Sequence, residues 1–102
     1  MKIAIATIED KAQGSVSSQA GRAPYFLIYS DKGELIETIK NPFAVGEGGA
    51  GFAVAKMLAD KQVDLVIAEK FGPNMQSALQ ERGVKFQEKQ GTVEKALKDF
   101  RQ

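Results

Sequence analysis

Two short runs decide most of what this chain can fold into. Residues 2–7 read KIAIAT and residues 63–68 read VDLVIA. Apart from their polar ends, neither alternates between apolar and polar positions, so a strand built from either must be covered on both faces. Helices are therefore expected on both sides of one sheet, a three-layer α/β/α arrangement of the α/β class. Between the two runs, YFLIYSDKGELIETIK reads as a hairpin, with strands over 25–29 and 34–40 turning at Ser30-Asp31-Lys32-Gly33. The sheet should then be mixed, with about five strands. Over 50–61 the spacing puts Phe52, Ala55, Leu58 and Ala59 on one helical face. After Phe71-Gly72-Pro73, residues Met75, Ala78, Leu79 and Arg82 repeat it as far as Gly83. Residues 84–86 suit a short edge strand, and Val93, Ala96, Leu97 and Phe100 line a closing helix capped by Thr92.

At 102 residues, with no linker, repeat or low-complexity tract, the chain is expected to form a single domain over 1–102. Its 14 Lys and Arg are scattered among 13 Asp and Glu, so there is no basic stripe to neutralise a phosphate backbone and no nucleic-acid partner is expected. Cysteine and histidine are both absent, which excludes disulfides, thiolate nucleophiles, imidazole bases and the usual ligands of zinc or iron–sulfur centres. The first apolar run stops at Thr7 without a small-residue cleavage site, and no apolar stretch is long enough to span a bilayer. A cytoplasmic protein without a membrane partner is the expectation.

Chemistry is suggested by three stretches. In QAGRAPYF, Pro24 fixes its own φ and pushes Ala23 towards an extended conformation, so Arg22 is expected to be displayed at the entrance of a strand. It could solubilise a loop or face an anion. In GEGGAG, Gly46, Gly48 and Gly51 formally match a dinucleotide fingerprint, and Glu69 lies 18 residues beyond Gly51. The context opposes that reading: Asn41-Pro42-Phe43 intervenes, the preceding strand belongs to a hairpin, and there is no room for two mononucleotide-binding halves, so NAD and ATP are not expected ligands. The glycines serve either as turns that allow close packing or as a backbone anion pocket at a helix N-terminus, where the N–H groups and the dipole favour negative charge. EKFGPNM repeats the design at the next strand-to-helix junction, with Pro73 at the position where a helix has a spare N–H. If the hairpin runs antiparallel to the first strand, Arg22 and both helix starts share one edge, outside the carboxyl ends of the parallel strands.

The combination MKIAIAT, VSSQAGRAPYFLIY, NPF, GAG, VDLVIA and FGP, in this order, resembles the dinitrogenase iron–molybdenum cofactor biosynthesis family, small carrier and accessory domains of nitrogenase cofactor assembly. The resemblance covers nearly the whole chain. It implies a ribonuclease-H-like layered fold without nuclease activity, an iron–sulfur or iron–molybdenum precursor cluster as the cofactor handled, and a protein partner in cofactor assembly. The family pattern commonly has His-Phe-Gly-Arg-Ala where this chain has Gln19-Ala20-Gly21-Arg22-Ala23, so an amide stands where a cluster ligand would be imagined. Met75 is the soft donor near this stretch.

Enzyme and binder separate on the acids. Glu9, Asp10, Glu47 and Glu69 could meet at one edge and hold magnesium through oxygen ligands, but no positioned nucleophile or base accompanies them. The expectation is a non-catalytic module that binds a small anionic ligand or metallocluster through Gln19, Gly21, Arg22, Gly49, Ala50, Gly51, Gly72 and Asn74, with no metal ligand from the protein. The alternative is a protein-interaction or regulatory module that has lost the ligand.

Overall fold

The computed structural model describes residues 1–11, 13–46 and 48–101. The elements run in the order β1 Lys2–Thr7, β2 Tyr25–Ser30, β3 Leu35–Lys40, α1 Ala50–Asp60, β4 Leu65–Ala68, α2 Pro73–Glu81, β5 Lys85–Glu88 and α3 Val93–Arg101. They build one mixed sheet in the order β3-β2-β1-β4-β5, with β2 antiparallel to both neighbours and β1, β4 and β5 parallel. One antiparallel strand inside an otherwise parallel set is compatible with a ribonuclease-H-like motif.

The two apolar runs occupy adjacent central strands, paired Ile3 with Leu65, Ala4 with Val66 and Ile5 with Ile67. Their alternate residues enter two separate cores. Ala4, Ala6, Val66 and Ala68 join Phe26 and Ile28 under Val54, Ala55 and Leu58 of α1 and Met75, Ala78 and Leu79 of α2. Ile3, Ile5, Leu65 and Ile67 join Leu27 and Tyr29 under Val93 and Ala96 of α3. Small residues on one face and isoleucines on the other have a physical reason: alanines let two helices settle side by side, while larger side chains fill the space beneath a single helix. Tyr29 is 4% exposed and its hydroxyl has no hydrogen-bond partner among the described residues. Burial, and then the charge of Glu94, push its pKa up.

Two face assignments differ from the periodicity. Phe52 points out of α1 and is 52% exposed, with Val54 in its place in the core. Arg82 is exposed just past the end of α2. The buried stripe of α1 runs through Ala50, Val54, Ala55 and Leu58, with Ala50 and Val54 about 160° around the helix from Phe52, and Arg82 lies past the last turn of α2. β3 begins at Leu35, one residue later than expected, where the β2 pairing shifts register between Ile28 and Tyr29. Among the described residues no helix is long and apolar enough to cross a membrane.

Candidate functional site

Because β1, β3 and β4 all point the same way and β2 points opposite, the loops after β3 and β4 and the loop before β2 converge on one edge of the sheet. A cleft of about 470 Å³ opens there, a size typical of small-ligand sites. All eight expected residues line it: Gln19, Gly21, Arg22, Gly49, Ala50, Gly51, Gly72 and Asn74.

The loop before β2 is pinned in place by backbone bonds. Glu69 N–H donates to the Ser17 carbonyl and Ala20 N–H to the Lys70 carbonyl, each at 3.0 Å, which brings Gln19 to the exit of β4. Arg22 is held from beneath by Asn41. This side chain is 4% exposed and donates to the carbonyls of Gly21 at 3.2 Å and Ala23 at 2.9 Å, while its oxygen accepts from Phe43 N–H at 2.9 Å. Carbonyls on both sides of Arg22 are thus satisfied by one buried amide, as burial demands. The guanidinium is half-buried rather than fully displayed, because it donates to the Phe43 carbonyl at 3.0 Å. It makes no ion pair with any described residue, and it lines both the cleft and a smaller neighbouring pocket beside Phe43.

Both helices of this face begin at the cleft without a side-chain cap. Gly49 precedes α1 at φ 87, a left-handed conformation that favours glycine, and Gly72 precedes α2 in an extended conformation with Pro73 next. Neither first turn contains an acid. The N–H groups of Ala50, Gly51, Asn74 and Met75 therefore lack an intrahelical acceptor, and no side chain of a described residue caps them. The two starts pack closely: a Cβ on Gly51 would lie 3.0 Å from Met75 N and 3.1 Å from Met75 Cβ, and Gly21 rests against Gly51 in turn. Gln76 Nε2 donates to the Phe71 carbonyl at 2.9 Å and fixes the turn into α2.

Lys70 and Phe71 also line the cleft, and sequence reasoning gave neither a role. Lys70 is an exposed second cation at the rim; its position two residues past β4 was the available signal. Phe71 is buried and packs on Phe86 with ring centroids 4.9 Å apart. The acids do not assemble into a cation site. Among the described residues no three of Glu, Asp, His or Cys come together, Glu9 pairs with Lys11 at 3.4 Å, and Glu47 lies outside the described residues. The cleft can therefore offer an anion N–H donors and two cations. It offers no thiolate or imidazole, and Met75 is almost wholly buried.

The orange protein from Desulfovibrio gigas, in its apo form, is similar in structure, with a TM-score of 0.89 and 27% identity over 97% of this chain and 85% of that one. A NifB-like protein from Thermotoga superposes with a TM-score of 0.81 and 33% identity over 97% and 85%. No curated protein matches the sequence. The family described as dinitrogenase iron-molybdenum cofactor matches residues 1–102, so this chain, over its whole length, belongs to the dinitrogenase iron-molybdenum cofactor family.

Proposed function

We propose that this chain is a non-catalytic carrier or accessory domain that holds an anionic iron–sulfur or iron–molybdenum precursor cluster as cargo. It does so through hydrogen bonds and charge rather than through bonds to metal. The observation that carries the reading is the convergence of Arg22, Lys70 and two uncapped helix N-termini on one cleft. Each helix start contributes a fractional positive charge and aligned N–H donors, and Arg22 adds donors in a fixed fork. Such groups recognise the outer acceptor atoms of an anion, whatever metal lies inside. Soft metals prefer thiolate or imidazole, and the chain contains neither, so the cargo would arrive with its coordination already complete. The orange protein's apo form implies that that protein takes a ligand, and the family description points the same way for this chain.

Anaerobic titration with a synthetic thiolate-capped [4Fe–4S] dianion, followed by absorption, tests the reading. Wild type should bind, and Arg22→Ala should lose affinity by roughly 10- to 150-fold, corresponding to a charge-assisted hydrogen bond of ~1.5–3 kcal/mol. If neither protein binds, the cluster reading fails and the interaction module takes its place. Equal affinities would remove Arg22 from the site.

A further inference from the structure

Four glycines line the cleft, and two have reasons within the fold. Gly49 sits at φ 87, and a Cβ on Gly51 would stand 3.0 Å from Met75 N, whereas one on Gly21 would make only ordinary contact, 3.5 Å from the Gly51 Cα. Gly72 has neither reason, although glycine is an accepted residue at a helix start. Its φ of −68 and ψ of 158 are open to any residue, and, its chain neighbours aside, no atom of a described residue lies within 4 Å of where its Cβ would stand. It is also the residue before α2, a position where serine, aspartate or asparagine would satisfy a free N–H and stabilise the helix. α3 uses that device: Thr92 Oγ1 accepts from Lys95 N–H at 3.2 Å. At position 72 the chain forgoes the cap and leaves a gap in the wall of a cavity.

We infer that the bare Cα of Gly72 is a contact surface for the ligand, which stands so close to the α2 turn that any side chain at this position would intrude on it. This rests on the reading of the cleft as an anion site, and it narrows the ligand class. The ligand is a polyatomic anion broad enough to reach from Arg22 to Gly72. A lone tetrahedral oxyanion would leave most of the roughly 470 Å³ to water. Gly72 thus acts as a specificity determinant for ligand breadth, and its cost is a helix start less stable than the fold could have.

The test compares wild type, Gly72→Ser and Gly48→Ala by anaerobic titration with the thiolate-capped [4Fe–4S] dianion, alongside thermal melting. Gly48 lies outside the cleft lining, with open space at its Cβ position and φ outside the left-handed region. Gly72→Ser should hold or raise the melting temperature by a few degrees while losing at least about tenfold in affinity, and Gly48→Ala should bind within about twofold of wild type. Sulfate, a dianion of equal charge and much smaller breadth, should displace the cluster only at an excess of about 100-fold or more. Wild-type affinity in Gly72→Ser would overturn this inference and leave the anion site standing. A sharp fall in its melting temperature would give the glycine a folding role and overturn it as well. Displacement by equimolar sulfate would overturn the claim about breadth, and failure of wild type to bind the cluster would overturn both readings.

Discussion

At the residue scale, the most informative side chain is not one that faces the cleft. Asn41 is buried and makes three hydrogen bonds, two of them to the carbonyls on either side of Arg22. It ties the turn before β2 to the end of β3, adding to the backbone bonds that pin the loop. Asn41→Ala would leave the Gly21 and Ala23 carbonyls without this partner, at a cost of about 1–3 kcal/mol for each buried group stranded. Urea denaturation should register the loss, and cluster affinity should fall with it, because the guanidinium would no longer be aimed. A variant as stable as wild type would mean that water replaces the amide at no cost. The Asn41-Pro42 pair was visible in the sequence as part of the family pattern, but its partners lie 18 and 20 residues away, and no local rule connects them.

At the element scale, the site depends on how near α1 and α2 can start to one another. Both sit on the alanine-rich face of the sheet, and the contact between Gly51 and Met75 sets their separation. Gly51→Ala would force a methyl against helix backbone, which cannot rotate away as a side chain can, so the starts must part. Overpacking of this kind costs about 1–3 kcal/mol. Thermal melting should show Gly51→Ala clearly destabilised and Gly48→Ala near wild type. Equal melting temperatures would make the glycine loop a simple connector. The sequence displayed the glycines, and their dinucleotide-like spacing was a false lead. Which of them is required by φ, which by packing and which by neither depends on where α2 lies.

At the scale of the whole molecule, formal charge is close to balanced, at +1, yet its distribution is uneven at one edge. Arg22, Lys70 and two helix starts face the same space, with no acid in either first turn. On the proposed reading, a bound anion would relieve that concentration of positive potential and, because the cleft exists only in the folded chain, would stabilise the fold. At a free ligand concentration 100 times Kd, such linkage contributes about 2.7 kcal/mol, enough to raise the melting temperature of a domain this size by roughly 10–20 °C. Scanning fluorimetry with the thiolate-capped cluster should show this shift in wild type and a much smaller one in Arg22→Ala. High salt should shrink it, since screening shortens the range of the field. No shift at saturation would separate binding from folding and count against the site.

The sequence by itself determined the layering and the order of the elements. Residues 2–7 and 63–68 had to be covered on both faces, the hairpin followed from an apolar pattern broken at Ser30-Asp31-Lys32-Gly33, and the helix starts followed from glycine and proline. These are consequences of period and of local backbone freedom, and both are written in neighbouring residues. The tertiary structure decided the rest. It put Val54 rather than Phe52 into the core, because α1 docks on the stripe of Ala50, Val54, Ala55 and Leu58. It drew Arg22 half inward onto the Phe43 carbonyl, and it added Lys70 and Phe71 to the cleft. It also separated the glycines the fold needs from Gly72, which it does not. A cleft exists only where segments distant in sequence meet. Its lining depends on distances of a few ångströms between chains that share no local pattern, and only the packed molecule fixes those distances.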